Sequence, residues 1–231
     1  MESQSRLNSR LGIVTGIPMS GRPVSVEWAI TLACLAYPTG CNHTLAVVKG
    51  CPVDEARDEL IRIAIAHEVK FLFFIDDDVR PQTDAILKLY PVLAQNPEVI
   101  AAAGIYSPKR EPTEPMVYRK LALGPSYDWK FNDVFEVEGL ATGLMLVRVD
   151  HFRKIPQPWF KTYKGEEFKG SRAFITDDLY FCDKALTAGF KLMAHGGVLG
   201  AHIDIEEKRE YKLTDFELKA PAVAVANGVT S

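Results

Sequence analysis

In the first half of the chain, apolar runs alternate with stretches of helical spacing. Leu11 to Ile17, in RLGIVTGIPMSGRP, predicts a short strand that ends in a Pro/Gly/Ser loop. SVEWAITLACLAY places Val26, Ile30 and Ala33 on one helical face behind Ser25, a suitable N-cap, and HTLAVVKG predicts a second strand. VDEARDELIRIAIAHEV predicts a stronger helix, with Asp54 as its cap and Ala56, Leu60, Ile63 and Ala64 along its apolar face. KFLFFI is apolar on both faces, which is the pattern of a central parallel strand. TDAILKLYPVLAQ and EVIAAAGIY add a helix and another buried strand, giving β-α-β-α-β-α-β.

The second half is different. Residues 114–148 are rich in β-formers, turn residues and aromatics, which predicts antiparallel strands. DHFRKI predicts a short helix, and PQPWFKTYKGEEFKGSRA a polar, aromatic loop. TDDLYFCDKALTAGF predicts a helix capped by Thr176 and stopped by Gly189, followed by a strand, KLMAHGGVLGAHI, that ends beside His202. The expected fold class is therefore α/β, with a central sheet flanked by helices and a smaller antiparallel sheet in the second half. With no repeat or linker, the 231 residues predict a single domain. It divides into a nucleotide-binding half over about 10–110, a site-completing half over about 111–210, and a C-terminal helix and loose tail over 211–231.

Composition narrows the function classes. A formal net charge of -3 and a pI near 6.0 argue against a protein that holds nucleic acid mainly through its phosphates. Cys34, Cys41, Cys51 and Cys182 show no metal-binding spacing and read as reduced thiols. The start, MESQSRLNSR, has no signal-type apolar core, and no uncharged stretch reaches the roughly 20 residues of a membrane helix. A cytoplasmic protein with no integral membrane segment is the expectation.

The chemistry centres on FLFFIDDDVRP, where an apolar strand runs into Asp76, Asp77 and Asp78. Adjacent carboxylates repel one another unless a cation or strong donors offset them. In open α/β sheets, the C-terminal edge of the strands is where ligands bind. Mg²⁺ and Mn²⁺ prefer oxygen ligands and bridge carboxylates to phosphates. Strand alternation would turn Asp76 and Asp78 to one side and Asp77 elsewhere. A second acidic pair, Asp177 and Asp178, falls in the first turn of a helix, either as simple capping residues or as a general base. His202 is either an ordinary half-buried histidine or a metal ligand.

Together these segments resemble the GT-A-fold glycosyltransferases, and among them the large inverting family 2. The resemblance spans about residues 10–205 and rests on GIVTGIP, VDEARDELIRIAIAHEVKFLFFIDDDVRP, VEGLATGLMLVRVDHFRKI, TDDLYFCDKALTAGFKL and GAHI, in the family's order. It implies a GT-A-type, Rossmann-like sheet and metal-dependent sugar transfer from a UDP- or GDP-sugar to a hydroxyl acceptor. Asp78 would bind Mn²⁺ or Mg²⁺, with His202 completing the metal shell. Asp76 would assist the metal or contact the donor's ribose. Asp178 would be the catalytic base, with Asp177 beside it. Thr15, Gly16, Ile17 and Pro18 would lie against the nucleotide base, with Arg57 and Asp77 in the donor-binding region. The sequence departs from the family in having Asp177 where Glu is commoner and in lacking the Gln-x-x-Arg-Trp acceptor motif. Lys109, Arg110 and Arg172 fall in predicted loops, either closing over the diphosphate or, as each reads individually, as solvated charges. A phosphatase or nucleotidyltransferase using the same aspartates, or a non-catalytic nucleotide-sugar-binding protein, is the alternative.

Overall fold

The computed structural model describes residues 12–163 and 175–213. The first half folds as β1 (Gly12–Met19), α1 (Val26–Ala33), β2 (Asn42–Lys49), α2 (Val53–Ala66), β3 (Phe71–Ile75), a short β4 (Val79–Arg80), α3 (Ala85–Gln95) and β5 (Val99–Ile105). The second half supplies β6 (Val117–Tyr118), β7 (Val134–Val137), β8 (Gly139–Leu140), β9 (Leu144–Arg148), α4 (Asp177–Thr187), β10 (Lys191–Leu199), β11 (Ala201–Asp204) and β12 (Arg209–Tyr211). The DHFRKI segment forms a 3-10 helix over Val149–Lys154. Residues 164–174 of the predicted polar loop, Arg172 among them, lie outside the described residues. So does nearly all of the expected C-terminal helix and tail, and residue 211 itself closes a strand.

The central sheet is mixed, with strand order β2-β1-β3-β9-β5-β10-β7, and two smaller sheets accompany it, β12-β11-β4 and β6-β8. This is the expected fold class. β1 runs parallel to β2 and β3, and β10 runs parallel to β5. Between β3 and β5 lies β9, antiparallel to both. KFLFFI is therefore central, but parallel to a neighbour on one side only. The apolar run Leu144–Val147 is buried on both faces, so it fits an interior position as well as a fourth parallel strand would.

Alternation along β3 builds two cores, one on each face of the sheet. Leu72 and Phe74 pack with Leu60, Ile61 and Ala64 of α2 and Phe181 of α4. Phe71, Phe73 and Ile75 pack with Trp28 of α1 and Ile86, Leu89 and Leu93 of α3. Each Leu, Ile or Phe among them, fully buried, contributes about 1.5–3 kcal/mol. Ser25 caps α1 as expected, accepting from Trp28 N at 3.0 Å. The buried face of α1 is not the predicted one: Val26 and Ile30 are 70% and 59% exposed, while Trp28 and Thr31 are buried. In so short a helix one large residue sets the rotation, and Trp28 both fills the core and donates its indole N–H to the Asp76 carbonyl at 2.9 Å.

Asp54 does not cap α2. Pro52 occupies that position, and Asp54 Oδ2 instead accepts from Thr162 N at 2.9 Å. One turn on, the buried Asp58 accepts from the backbone N–H groups of Trp159 and Phe160 at 3.0 and 2.9 Å. These two acids strap residues 159–162 against α2, with Phe160 set against Phe74 and Phe181. Thr176 caps α4, and Gly189, at φ +84°, ends it in a conformation that side chains resist. No helix among the described residues is long and apolar enough to cross a membrane. All four cysteines are free thiols.

Removing the Asp58 carboxylate leaves two buried N–H donors unpaired, each costing about 1–3 kcal/mol. Asp58→Ala should therefore lower unfolding stability by at least about 2 kcal/mol in urea titration. An unchanged midpoint would show that this strap is dispensable.

Candidate active site

β3 ends at Ile75, and the chain turns at once: Val79 N donates to the Asp76 carbonyl at 3.1 Å. The turn sends the three aspartates in three directions. Asp77 leaves the cluster to accept from Ser20 N and Ser20 Oγ, both at 2.7 Å, pinning the loop that follows β1. Asp76 points inward and Asp78 towards the loops, yet both line the same cavity of about 240 Å³ with Pro18, Arg22, Cys51 and Ala56.

Arg57, on the second turn of α2, is the centre of this site. Its guanidinium is almost wholly buried and reaches two separate segments of chain. Nη2 donates to both oxygens of Asp76 at 2.9 Å, while Nη1 donates to Asp177 and, at 3.3 Å, to Asp178. Burial disfavours the charge of Arg57, but the three carboxylates outweigh it and hold the group firmly protonated. One cation among three acids leaves negative charge to spare. Burial, with the neighbouring Asp177 carboxylate, pushes Asp178 up to about 7 despite the opposing Arg57. Asp178 is thus a carboxyl poised to exchange a proton near neutrality. Asp177 is more deeply buried than Asp178, and its carboxylate is occupied by Arg57.

Gly143 lets this arrangement close. Its carbonyl accepts from Asp76 N at 3.2 Å and its N–H donates to Tyr106 Oη at 3.0 Å. A Cβ at Gly143 would stand 2.5 Å from both Asp76 Oδ2 and Tyr106 Oη, a distance real atoms do not tolerate. Burial, then the charges of Asp76 and Asp178, push the Tyr106 hydroxyl well above its ordinary range, so it stays neutral.

On the other side, β4 pairs with β11 and sets His202 opposite Val79, next to Asp78. His202 Nδ1 lies 3.0 Å from the Ser107 carbonyl, and Nε2 lies 3.4 Å from Asp78 Oδ1. A carbonyl only accepts, so Nδ1 carries the hydrogen. In the neutral ring, Nε2 then aims a lone pair at a carboxylate, a pairing that needs a proton or a cation between its partners. Metal-bound imidazoles are oriented in the same way, with the far nitrogen donating to a carbonyl. Burial raises the Asp78 carboxyl, but His202 and Lys109 outweigh it and bring it to about 2. Among the described residues no three His, Cys, Asp or Glu side chains gather to hold a metal. Asp78 and His202 offer two ligands, which suits a cation that takes its other ligands from phosphate and water.

Of the residues expected at the site, the structure brings together Arg57, Asp76, Asp78, Asp177, Asp178 and His202. Pro18 lines the cavity, whereas Thr15, Gly16 and Ile17 are buried within β1, Thr15 bonded to Tyr37 Oη at 2.8 Å. Both oxygens of Asp76 are engaged by Arg57, so the metal-type pair is Asp78 with His202. Asp77 holds the β1 loop. Three contributors lay outside the sequence reading, Trp28, Tyr106 and Gly143; Lys109, read there as a loop charge, has its ammonium 2.7 Å from Asp78 Oδ2. Its place in the loop after a predicted strand is the signal that flags Lys109 in the sequence.

No family model matches the chain, and no curated protein matches it. Among solved structures it is similar to A197 from STIV, with a TM-score of 0.61 and 18% identity over 87% of this chain and 93% of that one. At that identity the similarity shows a shared fold.

Arg57→Met should cost about 3–5 kcal/mol, because it leaves buried carboxylates without their cation. Thermal unfolding at pH 8 checks this, and the loss should shrink at pH 5, where Asp178 is protonated in the folded protein. Gly143→Ala should displace Asp76 with a smaller loss of stability, visible as a change in the fluorescence of Trp28, whose indole is bonded to the Asp76 carbonyl.

Proposed function

We propose that this protein is a metal-dependent glycosyltransferase that moves a sugar from a UDP- or GDP-linked donor to a hydroxyl acceptor. What carries the proposal is one juxtaposition. A carboxylate–imidazole pair suited to a cation, Asp78 with His202, follows the end of β3, and buried Arg57 ties Asp178, a carboxyl titrating near 7, to Asp76 two residues before Asp78. Similarity in fold to A197 from STIV fits this reading without identifying a reaction.

Asp78 and His202 would hold Mn²⁺ or Mg²⁺, which when bound supplies positive charge to offset that of the departing diphosphate. Asp178, ionised, accepts the proton of the acceptor hydroxyl as that oxygen bonds to the anomeric carbon. The bond from that carbon to the diphosphate breaks, and its electron pair leaves with the phosphate oxygen. A base acting on the attacking side implies inversion. Arg57 and Asp177 hold Asp178 in place, and Tyr106 stays neutral beside it. Phosphatase chemistry with Asp76 as nucleophile is disfavoured, since Arg57 occupies both of its oxygens.

Asp78→Ala should abolish the Mn²⁺-dependent binding of UDP- or GDP-sugar in calorimetry, and equal affinity for both proteins would remove the metal assignment. Asp178→Asn should keep donor affinity and lower transfer about 10²–10⁴-fold. Below about pH 7 Asp178 is protonated and cannot take a proton, so the wild-type rate should rise with pH and level off above that value. A rate flat from pH 5.5 to 8.5 would exclude Asp178 as the base.

A further inference from the structure

Asp78 is approached by cations from two loops. Lys109 comes from the loop after β5, and its Nζ lies 2.7 Å from Asp78 Oδ2. Arg22 comes from the loop after β1, and its guanidinium lies 3.6 Å from the same oxygen. Both loops are fixed at nearby points. Asp77 holds Ser20, two residues from Arg22, and the Ser107 carbonyl, two residues from Lys109, faces His202. Arg22 and Asp78 line the 240 Å³ cavity and also a neighbouring one of about 280 Å³, where Lys109 forms part of the wall.

A divalent cation placed between Asp78 and His202 repels the ammonium that Asp78 now holds. Lys109 then needs another anion within reach of a flexible four-carbon stem, and the phosphates that share the cation are the nearest candidates. An ammonium suits such an exchange, because it acts as a point charge with rotatable donors. We propose that Lys109 recognises the diphosphate: it exchanges Asp78 for the donor's second phosphate as the cation binds, and so selects nucleoside diphosphates over monophosphates. This rests on reading the cavity as a nucleotide-sugar site. Arg22, more exposed and farther from Asp78, faces the same ligand from the opposite loop.

Calorimetry on the full chain tests it, first with Mn²⁺ alone and then with UDP, UMP, GDP and GMP at saturating Mn²⁺. Lys109→Met should bind Mn²⁺ more tightly than wild type, because a competitor for Asp78 is gone. The same variant should bind UDP or GDP about ten- to hundredfold more weakly while binding the monophosphates as before. Lys109→Arg should restore most of the diphosphate preference. Loss of a merely structural contact would weaken Mn²⁺ and nucleotide together, and that outcome, or an unchanged diphosphate-to-monophosphate ratio in Lys109→Met, overturns the proposal while leaving the site reading intact. If wild type binds neither UDP nor GDP with Mn²⁺, the site reading itself fails, and the role of Lys109 with it.

Discussion

Carboxylates cannot be gathered out of water without a cation among them, and Arg57 is the cation around which Asp76, Asp177 and Asp178 are gathered. Its planar fork addresses two segments about a hundred residues apart: one nitrogen meets the end of β3, the other the start of α4. A lysine in the same place would offer one compact charge and could not bridge them in this way. The guanidinium therefore fixes the distance between the two halves of the site as well as neutralising part of it. Burial, with the neighbouring carboxylate that Arg57 does not fully offset, pushes the Asp178 carboxyl up to about 7.

Each of the other groups is placed by backbone pairing. The turn after β3 separates the three aspartates, so one locks a loop, one faces Arg57 and one faces the cavity rim. Pairing of β4 with β11 brings His202 to Asp78 from well over a hundred residues away in the chain. Trp28 and Gly143 hold the Asp76 backbone from opposite sides through its carbonyl and its N–H. Such a frame leaves the side chains little freedom to wander, which is what preorganised chemistry requires.

Much of the fold could be read from local pattern. The strands and helices of the first half, and the caps at Ser25 and Thr176, follow from periodicity and short-range hydrogen bonding. The insertion of β9 between β3 and β5 does not, because its apolar run is compatible with many neighbours and only tertiary pairing chooses among them. The buried face of α1 departs from its periodicity for a similar reason: the weight that apolar counting assigns to Val26 and Ile30 is taken by one tryptophan with a hydrogen-bonding partner. At the site, Asp76, Asp78, Asp178 and His202 stood out because their residue types are costly outside a function. Lys109 was named only as one of three loop cations, since a loop lysine is usually solvated, and its partner is visible only once β3 and β5 lie in one sheet. Thr15 to Ile17 were expected at the nucleotide, but the strand extends to Met19 and keeps them inside.

The antiparallel strand at the middle of the sheet also bears on how the molecule is made. During synthesis β1, β2, β3 and β5 emerge first, yet β3 and β5 share no ladder with each other, and the strand that joins them is not complete until residue 148. Until then two wholly apolar strands have open edges, the condition in which nascent chains most readily pair with the wrong partner. Closing the sheet early requires contacts that are distant in sequence, which slows folding. The N-terminal segment, despite its regular β-α alternation, thus leaves edges of β3 and β5 that only strands from the second half of the chain cover.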